Sequence, residues 1–273
     1  MNFLEISIEI PTALSDELSA LLAEKKYDSF LETDSGINAY INSELYDEKA
    51  LTSVLTILSV EPKFKVNRLE NKNWNEEWEK NYDPVIIGTD IQIRAPFHKS
   101  AGCTHEILIT PKMSFGTGHH ATTSLMLQHQ LTIVHTNKKV VDAGCGTGVL
   151  AIMAELRGST DVTAYDIDEW SYENTLENIA SNNCEHIRTY LCDSIDTLPE
   201  KEKRDIILAN INKNVLLNEI PNFALRLTKG GKLLMSGFFI EDNNDIEQSA
   251  KKAGLHLTKS SDDGKWSSLV FTK

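Results

Sequence analysis

The chain of 273 residues lacks the features of a membrane protein or a secreted protein. No apolar run approaches the roughly 18 residues that a transmembrane helix requires. The first stretch, MNFLEISIEIPTALSDE, has neither a basic segment nor a continuous apolar one, so it does not resemble a signal peptide. We therefore expect a cytoplasmic protein that does not associate with membranes.

Cysteine and positive charge are also scarce. The four cysteines, Cys103, Cys145, Cys184 and Cys192, form no C-x-x-C pair, which favours reduced thiols in a cytosolic protein. Lysine and arginine number 27 against 40 acidic residues, so the formal net charge is −13. Proteins that bind nucleic acid usually present a basic face, so we expect no direct nucleic-acid binding. An acidic chain can instead steer a basic partner toward itself.

Residues 1–66 have the pattern of a small domain. The stretch FLEISIEI alternates in polarity and predicts a half-buried strand, and a helix, two strands, a second helix and a last strand follow it. The order β-α-β-β-α-β is that of a ferredoxin-like α+β fold. Five lysines and twelve acidic residues up to Val66 give this segment a formal charge of −7. Residues 67–89, polar and rich in Asn and Glu, are predicted to form a connecting helix that ends before Pro84.

Residues 90–273 are predicted to form a second, α/β domain. Two extended runs, DIQIRAPF and EILITPKMSFG, come first, and strands and helices alternate from about residue 122. This alternation indicates a parallel sheet with helices on both faces. The last two strands flank Asp263-Gly264, a hairpin signal, so the final strand is expected to be antiparallel. Pro221 is expected to bend or restart the helix that contains it.

A glycine loop follows the first strand of this alternation. The strand KKVVDAG leads directly into GCGTG, Gly144–Gly148, and then into a helix. Glycines at such a place let a ligand approach the backbone at a helix N-terminus. Asp166 ends the next strand, where a carboxylate can accept hydrogen bonds from both ribose hydroxyls. The order of strand, glycine loop, helix, strand and acid therefore predicts a nucleotide-type ligand.

The spacing of the glycines separates two cofactor classes. Dinucleotide sites use the pattern G-x-G-x-x-G, in which the third glycine is needed to bind the pyrophosphate and to pack the helix closely. This chain has the pattern G-x-G-x-G instead. An NAD-dependent oxidoreductase is therefore the weaker alternative, and S-adenosylmethionine, which has no pyrophosphate, fits better. We predict that Asp142, Gly144, Gly146 and Gly148 belong to the cofactor site. A non-catalytic module that senses the cofactor is disfavoured, because the loop, the acid and Asn210 are all intact.

From Thr122 to its end, the chain resembles the class I methyltransferases. The resemblance implies a Rossmann-like sheet that is mostly parallel and has an antiparallel final strand. It also implies that the glycine loop lies under the methionine part of S-adenosylmethionine and that Asp166 holds the ribose. Asp193, in the stretch LCDS after the third strand, matches an acid that lies near the adenine in that family.

Five further motifs narrow the resemblance to the PrmA family. They are MSFGTGHHATT, ANIN, SGF, KWSSLVF and WNEEWEKNYDPV. Members of that family methylate amino groups of the eleventh protein of the large ribosomal subunit. The resemblance implies an enzyme that uses S-adenosylmethionine to methylate lysine ε-amino groups, the N-terminal α-amino group, or both, on that basic protein. A class I methyltransferase acting on another protein, on RNA or on a small molecule is the alternative.

The block PKMSFGTGHHATT allows three interpretations, of which two rest on its histidines. His119 and His120 are adjacent, so on a helix their side chains point about 100° apart and rarely reach one metal ion. No cluster of Cys, Asp or Glu nearby completes a set of three or four ligands, so no metal site is predicted. A general-base role remains an alternative, because histidine titrates near neutral pH.

The favoured interpretation of this block is a loop shaped for a ligand. Gly116 and Gly118 permit a close approach to the backbone. Phe115 is predicted to cover one side of the cofactor, and Thr117 and Thr123 to offer hydroxyl groups near its methionine end. By resemblance to the PrmA family, Thr123 contacts the cofactor together with Gly144, Asp166 and Asn210.

Asn210 is the main candidate for a catalytic residue. It ends the fourth strand, and in parallel sheets ligands bind beyond the carboxyl ends of the strands where the strand order switches. Its side-chain carbonyl and the neighbouring backbone carbonyl are predicted to accept hydrogen bonds from the amine and to aim the lone pair of the nitrogen. Thr117 is a second catalytic candidate. Many amino methyltransferases have Pro-Pro after this position, whereas this chain has Ile211-Asn212, which leaves open how the amine is held.

Overall fold

The computed structural model describes residues 3–11, 14–23, 25–33, 35–58, 60–61, 63–68, 83–110, 116 and 118–273. The chain divides into two compact units, Met1–Tyr82 and Asp83–Lys273, and each is described by itself. The predicted connecting helix falls largely on residues 69–82, which lie outside the described residues. Phe115 and Thr117, two of the predicted cofactor contacts, lie outside them as well.

The first unit has the predicted ferredoxin-like order. Its strands are β1 (Phe3–Glu9), β2 (Ser29–Thr33), β3 (Gly36–Asn42) and β4 (Phe64–Arg68), and its helices are α1 (Ser15–Ala23) and α2 (Glu48–Ile57). The strands form one antiparallel sheet in the order β2-β3-β1-β4. Alternate residues of β1, Ile6 and Ile8, are buried in one cluster with Leu18 and Leu22 of α1 and Leu55 of α2. This alternation is why one face of the sheet carries both helices.

The second unit begins with a small sheet of its own. Its strands are β5 (Val85–Ile87), β6 (Ile91–Arg94) and β7 (His105–Leu108), in the order β5-β6-β7. The two extended runs of the sequence form β6 and β7, which pair in parallel. Helix α3 (Ala121–Leu131) follows, and it begins immediately after the two adjacent histidines.

A seven-stranded sheet makes up the rest of the second unit. The strands are β8 (Lys139–Ala143), β9 (Asp161–Asp166), β10 (Ile187–Leu191), β11 (Arg204–Asn210), β12 (Leu227–Phe239), β13 (His256–Asp262) and β14 (Trp266–Thr272). The helices between them are α4 (Val149–Leu156), α5 (Glu169–Ser181), α6 (Lys213–Arg226) and α7 (Asn243–Lys252). The order is β10-β9-β8-β11-β12-β14-β13. Strands β8 to β12 are parallel and β14 runs antiparallel to β12, which confirms the predicted sheet.

The sheet is buried on both faces. Val140 and Val141 are adjacent in β8 and both fully buried, because successive side chains of a strand point to opposite faces. Val140 belongs to a core cluster with Ile152 of α4, and Val141 belongs to a separate cluster with Phe223 of α6. Helices on both faces therefore give the two packed layers that a parallel sheet requires.

Helix α6 runs through Pro221 without restarting, so that part of the prediction was wrong. A proline inside a helix removes one backbone hydrogen bond and costs about 3 kcal/mol. Leu216, Ile220 and Phe223 on the same helix are completely buried against the sheet. Their burial, at about 1.5–3 kcal/mol for each large apolar side chain, offsets that cost.

The strand order changes direction between β8 and β11. The chain moves outward from β8 to β9 and β10, and then returns to place β11 on the other side of β8. Ligands of such sheets bind beyond the carboxyl ends of the strands at this switch. Among the described residues, no helix has the length and apolar character needed to cross a membrane.

Candidate active site

A cavity of about 460 Å³ opens at the switch in strand order. This volume falls within the range of roughly 300–1,000 Å³ that is usual for small-molecule sites. Five of the predicted cofactor residues lie on its wall: Gly144, Gly146, Asp166, Asp193 and Asn210. They come from the ends of four neighbouring strands or from the loops that follow them, which is why residues far apart in sequence meet here.

The glycine loop is tied to the end of β9 by its backbone. The amides of Gly144 and Cys145 both donate to the carbonyl of Tyr165, at 2.9 and 3.0 Å. The amide of Gly146 donates to the Asp166 carboxylate at 2.9 Å. Gly144 and Gly146 have φ angles of +67° and +55°, a region that glycine enters without steric cost. The loop therefore turns tightly beside Asp166 and exposes its backbone to the cavity.

The carboxylate of Asp166 is oriented by two backbone amides. Its Oδ2 accepts from Gly146 and its Oδ1 accepts from Asp168 at 3.0 Å. Each carboxylate oxygen can accept about two hydrogen bonds, so each retains a lone pair for a ligand donor. The side chain is half-buried at the cavity wall and fits two vicinal hydroxyls of a ribose.

Asp142 and Gly148 lie behind the loop. Asp142 is only 1% exposed, and its Oδ2 accepts from the amide of Ala151 in the first turn of α4, at 3.0 Å. Burial raises the pKa of Asp142 to about 7. Gly148 is the N-cap of α4. Both residues hold the start of the helix beneath the loop, and their predicted contact with the cofactor stays a prediction.

Two glycines hold the segment after β11 in place. A Cβ atom on Gly144 would lie 2.3 Å from Cγ2 of Ile211, and a Cβ atom on Gly237 would lie 2.3 Å from the carbonyl oxygen of Ile211. Gly237 stands at an irregularity in the pairing of β12 with β14, and its φ is +95°. Only glycine at both positions lets Ile211 pack this closely. The position of Asn210, one residue earlier, depends on this packing.

Asn210 lines the cavity and has a buried acceptor without a partner among the described residues. The side chain is 9% exposed, and its Nδ2 donates to Oγ1 of Thr123, which is fully buried in α3, at 3.3 Å. Its Oδ1 is buried and has no hydrogen-bond partner among the described residues. A buried acceptor without a donor costs about 1–3 kcal/mol, so a donor on a ligand fits this position. Thr123 therefore lies behind Asn210 and holds the amide.

Aromatic rings form another part of the wall. His120 and Trp266 both line the cavity and meet edge to face, with ring centroids 4.6 Å apart. The ring centroids of Phe239 and Trp266 are 4.3 Å apart, and Nζ of Lys265 is 5.6 Å from the centroid of the Phe239 ring. Rings in this arrangement can hold a cationic or apolar group.

The two adjacent histidines have separate partners. His120 Nδ1 lies 2.7 Å from the hydroxyl of Thr122 at the start of α3, and His119 Nε2 lies 2.9 Å from the carbonyl oxygen of Asp83. No group of three or more metal-ligating side chains lies together in the part of the chain that the structure describes. His120 on the cavity wall leaves the general-base alternative open.

The close approaches at Gly116 and Gly118 involve the protein itself. A Cβ atom on Gly116 would lie 2.8 Å from Oγ1 of Thr147, and one on Gly118 would lie 2.5 Å from Cδ1 of Ile93. These glycines are therefore required where the loop packs on its own neighbours. The sequence pattern alone attributed them to a ligand.

Asp193 lies at the exposed end of the site. Its Oδ1 accepts from the hydroxyl of Thr197 at 3.1 Å. Several wall residues had no role assigned from the sequence: Ile167, Val215, Glu219, Gly237 and Trp266. Ile167 follows Asp166 directly, and its place next to the acid is the signal in the sequence that could have identified it. In the structure its side chain is 74% exposed. Gly237 and Trp266 lie in the stretches SGF and KWSSLVF.

The comparisons with known proteins agree over nearly the whole chain. The family model described as "Ribosomal protein L11 methyltransferase (PrmA)" matches residues 4–273. The ribosomal protein L11 methyltransferase of Phocaeicola vulgatus is 39% identical over 279 aligned residues, which cover 99% of each chain. The enzyme of the same name from Bacteroides fragilis is 40% identical over 94% of each chain.

Solved structures are similar as well. The ribosomal protein L11 methylase of Lactobacillus delbrueckii subsp. bulgaricus matches with a TM-score of 0.65 and 25% identity, over 70% of this chain and 99% of its own. A methyltransferase from Pyrococcus furiosus matches with a TM-score of 0.52 and 22% identity, over 61% of this chain and 89% of its own. The second match supports the fold alone.

Replacing Asp166 by alanine should weaken the binding of S-adenosylmethionine, the cofactor that the sequence predicts. Loss of a charged acceptor for two hydroxyls should cost about 1.5–3 kcal/mol, or roughly ten- to hundredfold in Kd. Calorimetric titration measures this change. Asp168→Ala is the matched control, because Asp168 caps α5 next to the site but does not line the cavity. An unchanged Kd in Asp166→Ala removes Asp166 from the site.

Replacing Gly237 by alanine should displace the segment that carries Asn210. The added Cβ meets the backbone of Ile211, and a positive φ alone costs a non-glycine residue about 1–3 kcal/mol. Gly254 is the control, since its φ is +80° but nothing lies within 4 Å of a Cβ placed there. We expect Gly237→Ala to lose more thermal stability than Gly254→Ala and to lose turnover. Equal effects of the two substitutions contradict the role of Gly237.

Proposed function

The chain belongs to the PrmA family of ribosomal protein L11 methyltransferases, and we propose that this chain also methylates ribosomal protein L11. It is an S-adenosylmethionine-dependent methyltransferase. The observation that carries the proposal is the unpaired Oδ1 of Asn210 on the same wall as the glycine loop and Asp166. A cofactor site and an acceptor for an amine hydrogen therefore lie in one cavity.

The residues of the cavity fit the cofactor. The backbone of Gly144 and Gly146 would leave room for the methionine part, and the two oxygens of Asp166 would accept hydrogen bonds from the ribose hydroxyls. Asp193 lies at the exposed end, where the adenine would reach it. S-adenosylmethionine supplies a methyl group that is activated by a positively charged sulfur. The protein therefore has to bind, to orient and to exclude water.

The amine that accepts the methyl group has to be neutral. An α-amino group, with a pKa of about 8, is partly neutral at physiological pH, while a lysine side chain, with a pKa of about 10.4, is almost fully protonated. Asn210 Oδ1 accepts a hydrogen bond from the amine and so orients the lone pair of the amine nitrogen along the cavity. The amine loses its proton to water or to a brief acceptor before it attacks the methyl group. Lysine ε-amino groups, the N-terminal α-amino group, or both are the proposed sites of methylation.

The aromatic wall suits the stem of a lysine. The rings of His120 and Trp266 border the cavity on which Asn210 also lies, so an aliphatic chain can pack on them while its nitrogen reaches Oδ1. An acidic chain suits a basic protein substrate better than RNA, since the formal charge is −13. We infer that the enzyme acts in the cytoplasm, where ribosomal proteins are made.

The first unit is proposed to recruit the substrate. Residues 1–66 carry a formal charge of −7 and have a separate core cluster, while the described residues that line the cavity belong to the second unit. A negatively charged surface raises the rate at which a basic protein associates. The direct test of the function is incubation of the enzyme with ribosomal proteins and labelled S-adenosylmethionine, followed by mass mapping. Labelling of RNA or of no ribosomal protein contradicts the proposal.

Replacing Asn210 by alanine should lower turnover far more than cofactor affinity. Removal of one preorganised polar group at a reacting centre typically costs roughly 10²–10³ in rate. The rate constant kcat is measured with L11 as substrate, and calorimetry gives the Kd for S-adenosylmethionine, which should stay within a few-fold. A loss confined to cofactor affinity reassigns Asn210 to cofactor binding.

Removal of residues 1–82 should separate cofactor binding from substrate recruitment. The remaining protein, residues 83–273, should bind S-adenosylmethionine with near-native affinity and lose most activity on intact L11. Activity of the full-length enzyme on L11 should also fall as salt rises, because charges are screened beyond about 8 Å at physiological ionic strength. Full activity of the shortened protein, shown to be folded by circular dichroism, contradicts the recruitment role.

A further inference from the structure

Three asparagines lie along one face of helix α5, and the last of them caps the C-terminus of the helix. Asn174, Asn178 and Asn182 are four residues apart, so they lie one above another along the helix. Asn174 and Asn178 are fully buried. A buried amide needs partners for two donors and for its carbonyl oxygen, and asparagine is a weak helix former. A row of buried asparagines therefore calls for a specific set of hydrogen bonds.

The row pairs with the backbone at the end of β7 and just after it. Asn182 binds both polar groups of Leu108, since its Oδ1 accepts from the amide at 2.8 Å and its Nδ2 donates to the carbonyl at 2.7 Å. Asn178 Oδ1 accepts from the amide of Thr110 at 2.8 Å. The amides thus take the place of a neighbouring strand. Backbone groups have fixed donor and acceptor roles, so they also determine which way each amide points.

Asn178 alone among the three reaches the glycine loop of the cofactor site. Its Nδ2 donates to the carbonyl of Thr147 at 2.9 Å. Thr147 Oγ1 in turn donates to the carbonyl of Gly116 at 2.8 Å. One buried amide therefore connects Thr110, which follows β7, with the loop between β8 and α4. Thr147 carries the connection on to Gly116, which lies six residues beyond Thr110.

Gly116 is itself required by this connection. A Cβ atom there would lie 2.8 Å from Oγ1 of Thr147, too close for any other residue without a shift. Neither Asn178 nor Thr147 lines the cavity. Both are completely buried, and their contacts lie behind the surface that the cofactor meets.

We infer that Asn178 is a positioning residue that holds the glycine loop 144–148 against Thr110 and, through Thr147, against Gly116. The inference rests on the proposed function only in that the glycine loop binds the cofactor. Without Asn178, the carbonyl of Thr147 and the amide of Thr110 are left buried without their partners, and the loop gains freedom that cofactor binding must remove. Affinity for S-adenosylmethionine therefore depends on a residue that does not contact it.

The test compares Asn178→Ala with Asn182→Ala. Both substitutions remove amide contacts with the backbone, of Thr110 for Asn178 and of Leu108 for Asn182, and only the first removes the contact with Thr147. We expect the Kd for S-adenosylmethionine to rise at least tenfold in Asn178→Ala and to stay within threefold in Asn182→Ala, although both proteins lose thermal stability. In Asn178→Ala, the KM for the cofactor should change more than kcat. Equal Kd values in the two variants overturn the inference.

A second pair of variants tests the route through Thr147. Thr147→Val removes the hydroxyl that donates to Gly116 and should weaken cofactor binding, while Thr147→Ser keeps the hydroxyl and should restore it. Combined with Asn178→Ala, Thr147→Val should add little further loss, because the two residues act on one connection. Fully additive losses overturn the route. If Asn178→Ala does not fold, the comparison of Val and Ser at position 147 decides.

The wild-type protein separates this inference from the proposed function. If the wild-type protein does not bind S-adenosylmethionine, the proposed function itself is wrong. If it binds the cofactor and the Asn178→Ala and Thr147→Val proteins bind equally well, only the positioning role is wrong.

Discussion

The site depends on the hydrogen bonds between the glycine loop and the end of β9. The amides of Gly144 and Cys145 meet the carbonyl of Tyr165, and the amide of Gly146 meets the carboxylate of Asp166. These contacts bring the backbone of the loop next to the carboxylate of Asp166 on the wall of the cavity. They form only because β8 and β9 are adjacent and parallel, so that both strands end at the same edge of the sheet. Strand pairing in the core thereby determines the geometry of the cofactor site.

The part of the cavity wall around Asn210 is built by close packing and by one hydrogen bond. Ile211 lies between Gly144 and Gly237, at distances that leave no room for a Cβ atom on either glycine. Asn210 precedes Ile211, and its amide is held by the buried hydroxyl of Thr123. Gly144 therefore serves both parts of the cavity wall, since it belongs to the glycine loop and also makes room for the segment that carries Asn210.

Much of the architecture followed from local patterns. The alternation of polarity in β1 and the repeated strands and helices after residue 122 predicted a ferredoxin-like unit and a mostly parallel sheet, because burial on one face or on both imposes these periods. The prediction for Pro221 was partly wrong, because the helix does not restart there. The penalty of a proline in a helix is local, whereas the burial of Leu216, Ile220 and Phe223 that offsets it depends on the sheet beneath.

The sequence alone predicted which chemical group follows each strand: the glycine loop first, then Asp166, Asp193 and Asn210, each at or just after the end of a strand. Such short motifs and their spacing are local, so they can be read without the fold. Only the tertiary structure decided which of these groups line the cavity and which lie behind it. Asp142, Gly148 and Thr123 hold other residues in place behind the cavity wall, and Gly116 makes room for Thr147. The role of Asn178 was equally hidden, because its partners Thr110 and Thr147 lie 68 and 31 residues away in the chain. Contacts over such separations arise from how the elements pack, and one-dimensional spacing does not record that.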